Sequence, residues 1–439
     1  MKKLISLILP SKKPETVLQG VIRSSVVNTA TKGFGYFRNL AIAVLLGFSY
    51  QTDGFFMALA LLGIFLIFAN IFDSVGVPQL VKARMQSEEE FRKLSGLLFT
   101  FTLTLSLFMS ILAVALINII LKIPAGFSAQ ALEATKVSYL LFIPYVTFSF
   151  IFHHFGAVLR SQRRFTQYFV GELVIGVTNF TFTVAGLLLT KDFRTLPISF
   201  SVAQIVGAIY MLYVGREFIH LRFFVDDTTK KLVSQFAQLS ALYGIFHLYI
   251  LVDRAFASYL GEKAISALAY GMILASIPRN ILRFENIAIT PLAELGGSIE
   301  KLSFYLKKIA LFSLPFTAFF FMFPWLPVKL FFGYGAFSKV DVSLTAEALK
   351  FYALSIPFMF FWPLIYRVFQ IRENLLGISI VAIAGVIVNA LLNYALVFYF
   401  KMGIAGICLG TFGAYVIICG VGYIILNRKR SAHASVSFL

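Results

Sequence analysis

Residues 31–58 read TKGFGYFRNLAIAVLLGFSYQTDGFFMA. The stretch sets Lys32 and Arg38 inside a run that is otherwise apolar enough to cross a bilayer. A cation near mid-membrane costs at least ~2.5–3.5 kcal/mol on insertion scales, so such residues are rare and are usually kept for a use. The chain therefore reads as a set of membrane-spanning helices, one of which carries positive charge to meet an anionic cargo.

The rest of the composition agrees. Of 439 residues, 59% are hydrophobic and only 13% charged, with a mean hydropathy of +0.85. A soluble domain carries about a quarter of its residues as charges, so an ordinary soluble enzyme is excluded. Windows of about 20 apolar residues, each long enough to cross ~30 Å of hydrocarbon as helix, fall at 21–47, 53–80, 94–121, 137–160, 166–190, 198–219, 233–259, 264–292, 304–332, 347–369, 375–400 and 403–427. The expected fold is an all-α integral membrane protein of about twelve transmembrane helices.

Two lobes of six helices are expected. Residues 1–20 form an uncleaved interfacial segment, 21–219 a first lobe, 220–232 a cytoplasmic linker, 233–427 a second lobe and 428–439 a basic tail. Leu46-Gly47 recurs as Leu260-Gly261, and GVTN at 176–179 resembles GVIVN at 385–389. The similar offsets suggest duplicated six-helix units related by a pseudo-two-fold axis along the membrane normal, with a transport site between them near the midplane.

The formal charge of +18 is mostly topology. Loops on the side that holds both termini carry 23 Lys and Arg, those on the other side 8. That bias places both termini in the cytoplasm, with anionic membrane lipid as a secondary partner and no nucleic acid. Cys408 and Cys419 lie eleven residues apart on one helix, about 16 Å of rise and too far for a disulfide. Pro144, Pro278, Pro315, Pro324, Pro357 and Pro363 interrupt spans, as tolerated kinks or as hinges for alternating access.

No phosphate-binding loop, dinucleotide fingerprint or Cys/His metal spacing occurs. Adjacent His153 and His154 face different sides of a helix and suit packing or an interface better than a metal. No cofactor, metal site or covalent chemistry is expected, and the chain is read as a non-enzyme and a monomer. The informative residues are intramembrane charges: Lys32, Arg38, Asp53, Asp73, Glu172, Asp253, Arg254, Arg279, Arg283 and Glu285. Arg38 sits about 13 Å from the outer end of its helix, a long reach for snorkelling. Arg279 and Arg283 share a face at i,i+4. The plainer reading pairs Asp53 with Arg38 between helices and makes Asn389 and Asn393 interhelical hydrogen-bond partners. The surplus of cations separates the readings, because guanidinium groups suit diphosphate whereas a pump for cationic drugs needs carboxylates.

GYFRNLAIAVLLG at 35–47, followed by TDGFFMA at 52–58, resembles the first two helices of the MurJ/MviN-like flippases. These belong to the MOP superfamily, with the Wzx polysaccharide flippases and MATE exporters. LFFGYGAF at 330–337, with Ala348-Leu349 and Tyr352 beyond, and VNALLNYALVFYFKMGIAGICLGT at 388–411 resemble the same family. The resemblance implies export of a polyprenyl-diphosphate-linked glycan, and Lys32, Arg38 and Asp53 match the family's charged cavity residues. Asn39 stands where the family usually carries an acid, residues 61–72 lack its arginines, and 270–278 lack its Arg and Glu. The family also usually has two more C-terminal helices. These departures favour a relative that handles a lipid-linked oligosaccharide other than lipid II.

The expectation is thus an inner-membrane flippase for an undecaprenyl-diphosphate-linked oligosaccharide, with Lys32, Arg38, Asp53, Arg279 and Arg283 as the substrate-binding set. Glycosyltransferases or a polymerase of the same pathway would be further partners. The rival readings are a MATE-like cation or drug antiporter that depends on Asp53, Asp73 or Glu172, and a membrane scaffold of a glycan-synthesis complex.

Overall fold

The computed structural model describes residues 15, 17–222, 227–282, 284, 288, 292, 294–372 and 374–436. Helices follow in the order α1 (Val17–Leu46), α2 (Tyr50–Ile71), α3 (Val77–Gln86), α4 (Glu88–Ala115), α5 (Ala129–Leu141), α6 (Ile143–Ser161), α7 (Phe165–Thr190) and α8 (Thr195–Val214). They continue with α9 (Asp227–Ala257), α10 (Ala264–Leu282), α11 (Ile299–Met322), α12 (Trp325–Phe332), α13 (Lys339–Ala353), α14 (Ile356–Ile371), α15 (Leu375–Tyr394) and α16 (Gly403–Val436).

Among the described residues ten spans are long and apolar enough to cross a bilayer, and α13 with α14, bent by 49° at their junction, qualify together as an eleventh. The twelve windows read from hydropathy include α1, which is not among these. At 30 residues it is long enough, but Lys32, Arg38 and Asn39 dilute its apolar character. Prolines explain two of the breaks. Pro357 lies in the first turn of α14 at the 49° bend, and Pro144 lies in the first turn of α6, two residues after a break at Phe142. Both positions tolerate a missing N–H.

Contacts divide the chain into two units, residues 1–47, 57–123 and 129–243, and residues 48–56, 124–128 and 244–439. In the first unit α1 packs on α7, and α6 packs on α4 and α8. Small residues permit the close approaches. A Cβ on Gly176 would meet Thr31 at 3.3 Å, and one on Gly207 would meet Ile175 at 2.3 Å. Phe99, Phe152, Phe155, Leu159, Tyr168 and Met211 form the buried core between α4, α6, α7 and α8. Local chemistry sets the helix ends. Ser87 accepts from Glu90 N at 3.0 Å, and Glu88, Glu89 and Glu90 put negative charge on the first turn of α4. Buried Glu15 accepts from Thr166 N at 3.1 Å and so caps α7 from outside.

In the second unit Tyr270 of α10 is fully buried among the rings of Phe48, Phe56, Phe332 and Phe337. Ser338 and Asp341 form a capping box at the start of α13, and Asp341 also takes Lys263 Nζ at 2.9 Å. Residues 124–128 belong to this unit, and Gly126 N donates to Ser258 Oγ at 3.1 Å. A Cβ on Gly126 would lie 2.6 Å from the backbone N and Cα of Tyr259, atoms that cannot rotate away. Gly126→Ala is expected to destabilise the protein by about 1–3 kcal/mol. The check is a lowered melting temperature in detergent; an unchanged melt would mean the loop is not held there.

Candidate functional site

Lys32 and Arg38, the two cations of the opening stretch, meet in a cavity of about 380 Å³ within the first unit. Helical spacing supplies one stripe of it from each of several helices. On α1, Thr31, Lys32, Gly35 and Arg38 fall on one face. On α6 the stripe is Tyr145, Ser149, Phe152 and His153, and on α7 it is Glu172, Ile175, Gly176 and Asn179. Leu66 and Asn70 come from α2 and Gln204 from α8. Phe152 belongs both to the cavity wall and to the aromatic core, so the wall is backed by packed rings. Phe34 and Phe37 flank Phe180 at 5.7 and 6.4 Å and fix α1 against α7.

Arg38 is oriented without being neutralised by its neighbour. Its Nη2 and Nε donate to Asn39 Oδ1 at 3.0 and 3.4 Å, and the guanidinium lies 4.5 Å from the centroid of Phe200. An amide and an aromatic face both hold a cation while leaving its formal charge in place. Gly35, between Lys32 and Arg38, would place a Cβ with nothing within 4 Å, so the floor beneath the two cations is open backbone. Among the described residues Glu172 is the one carboxylate that lines the cavity, and it accepts from Tyr168 Oη at 2.8 Å.

The other expected site residues lie elsewhere. Asp53 belongs to the second unit and is 1% exposed. Its carboxylate accepts from Lys263 N at 2.6 Å, Ser266 N at 2.8 Å and Ser266 Oγ at 2.5 Å, the pattern of a cap on α10. Arg279 is half-buried near the end of α10 in the second unit. Arg283, Glu285, Asn286 and the side chain of Asp73 lie outside the described residues. The adjacent histidines separate: His153 lines the cavity, while His154 is fully buried against Phe72, Phe99 and Phe155. His153, Asn179 and Gln204 were not singled out as binding residues by sequence. Their signal was polar side chains recurring at helical spacing in apolar spans.

A second buried polar group lies in the second unit. Asp253 accepts from Asn389 Nδ2 at 3.0 Å, Asn393 Nδ2 at 2.8 Å and Thr411 Oγ1 at 2.7 Å, joining α9, α15 and α16. Arg254, its sequence neighbour, turns instead to the carbonyl of Ile265 at 2.5 Å. Among the described residues no group of three or more His, Cys, Asp or Glu is placed to hold a metal.

Comparison with known proteins gives the family. The family model described as "Lipid II flippase MurJ" matches residues 42–438. The chain belongs to the MurJ family. A probable lipid II flippase MurJ of Rickettsia prowazekii is 24% identical over 419 residues, covering 91% of this chain and 82% of that protein. The corresponding protein of Aquifex aeolicus is 26% identical over 383 residues, covering 84% and 76%. A solved structure of lipid II flippase MurJ in an inward closed conformation superposes with a TM-score of 0.79 at 21% identity, covering 93% of this chain and 87% of that one. An inward-facing MATE multidrug transporter of the MOP superfamily gives 0.75 at 14% identity, covering 93% and 96%. The MurJ assignment makes the chain a multi-pass transporter of the bacterial inner membrane, moving a lipid-linked substrate by alternating access, and not an enzyme.

The separate placements of Asp53 and of the cavity cations can be tested by stability. Asp53→Ala strips buried donors of their acceptor and is expected to cost about 1–3 kcal/mol. Lys32→Ala is expected to leave the melting temperature in detergent unchanged within about 0.5 kcal/mol. Equal melting of the two variants would contradict the division.

Proposed function

We propose that the protein translocates an undecaprenyl-diphosphate-linked oligosaccharide from the cytoplasmic to the outer leaflet, with Lys32 and Arg38 gripping the diphosphate. The observation that carries this reading is the convergence of the two cations, with one carboxylate, on a single cavity of the first unit. A cationic drug would meet repulsion there. The names of the MurJ relatives support a diphosphate lipid as cargo.

Size limits what this cavity holds. About 380 Å³ is near the lower end of the ~300–1,000 Å³ usual for small-ligand sites. It has room for a diphosphate and the adjoining sugar, while the distal glycan and the prenyl tail lie outside it. The carboxamides of Asn70, Asn179 and Gln204 are then placed to meet sugar hydroxyls, which are neutral donors and acceptors. Asp53 and Arg279 are not among the described residues that line this cavity.

Mass spectrometry of lipids that co-purify with the protein tests the cargo, and a prenyl-diphosphate sugar is the expected find. Arg38→Ala is expected to lower translocation in proteoliposomes by roughly 30-fold or more, the factor for losing charge-assisted hydrogen bonds to an anion. Membrane insertion should be unaffected; full transport by the variant would refute the assignment. Carrying two negative charges outward across an inside-negative membrane releases up to ~4.6 kcal/mol per 100 mV. Collapsing the potential in the same vesicles should therefore slow export.

A further inference from the structure

A second basic pocket lies in the first unit, on the side that the charge bias assigns to the cytoplasm. It has a volume of about 560 Å³ and is lined by Arg92, Ile219, His220, Leu221 and Arg222. The segment 219–222 alternates apolar and basic residues, and the apolar ones are not tucked inward: Ile219 is 40% and Leu221 57% exposed. His220 and Arg222 are exposed beside them.

The segment is irregular but firmly held. Phe218, the residue before it, is buried, with the Phe91 ring 5.7 Å away and the Arg164 guanidinium 5.4 Å from its centroid. Arg222 N donates to Thr100 Oγ1 at 3.1 Å. Gly96 of α4 lets the segment lie flat on the helix, since a Cβ there would come within 3.1 Å of His220 O. Each anchor uses backbone or a neighbouring residue, so the side chains of Arg222, Ile219 and Leu221 are not needed to fix the segment. Among the described residues Glu217 pairs with Arg164, and Glu88 with Arg92 at 3.2 Å. Among the described residues that line the pocket, Arg92 and Arg222 are the formal charges, and both are positive.

Exposed apolar side chains alternating with cations at a membrane-facing rim match the interface of a bilayer, where acyl chains and phosphates alternate over a few ångströms. We propose that this pocket binds the phosphate head of an anionic glycerophospholipid of the cytoplasmic leaflet. Arg222 and Arg92 meet the phosphate, and Ile219 and Leu221 enter the acyl region. The site is separate from the cavity of Lys32 and Arg38 and does not depend on what that cavity carries.

The test is native mass spectrometry of the purified full chain, titrated with phosphatidylglycerol or phosphatidylcholine in one detergent. The wild type should retain phosphatidylglycerol preferentially. The double variant Arg92→Gln/Arg222→Gln should weaken that retention about five-fold or more, the factor per cation near an anionic surface, and leave phosphatidylcholine adducts unchanged. Arg222→Lys keeps the charge and should retain the lipid; if it does not, packing rather than charge is responsible and the proposal fails. It also fails if the double variant retains phosphatidylglycerol as the wild type does. Displacement by inorganic phosphate at equal concentration would reveal a soluble-anion site instead. A polyprenyl diphosphate as the retained species would make the pocket part of the cargo path; either finding overturns the proposal.

Discussion

A cation placed in hydrocarbon loses its water and must find another way to be solvated. The first unit meets that demand for Arg38 with contacts that include an amide oxygen and an aromatic face at the edge of a cavity. Everything else in the unit follows from keeping that arrangement in place. Gly176 brings α7 close to Thr31, Phe180 sits between Phe34 and Phe37, and the core around Phe152 stiffens the wall opposite.

Charge is handled differently in the second unit. Asp253 and Asp53 are both almost wholly buried, and each is surrounded by neutral donors. Hydrogen bonds from amides, hydroxyls and helix N-terminal N–H groups disperse a carboxylate's charge over several dipoles. These acids fasten helices together: Asp53 ties the start of α2 to α10, and Asp253 ties α9 to α15 and α16. The buried anions thus fasten helices of the second unit, while the half-buried cations line the cavity of the first.

Much of the fold was legible because the bilayer imposes a length and a polarity on every span. The window at 166–190 falls on α7 with a one-residue shift, and that at 403–427 starts with α16, which runs on to Val436. Breaks were less visible. The interruption at Phe142 and the bend before Pro357 depend on local backbone geometry that hydropathy averages away. At the site, Lys32 and Arg38 stood out because charge in an apolar run is conspicuous. Asp53 was grouped with them by proximity in sequence, yet its partners Lys263 and Ser266 lie more than 200 residues onward. His153 and His154 show the remaining ambiguity. Helical period says that they diverge, but not which of them faces the cavity.

The formal charges around the cavity have a consequence for how work is divided over a transport cycle. Lys32 and Arg38 against Glu172 leave the empty cavity at +1. A dianionic cargo of the kind proposed would bring it to −1. An inside-negative membrane favours outward movement of the loaded, negative cavity, and it equally favours inward return of the empty, positive one. Each half of the cycle would then draw up to ~2.3 kcal/mol per 100 mV from the field. A carboxylate in place of Asn39 would shift both charges by one, leaving the return step electrically silent and loading the whole field-driven step onto export.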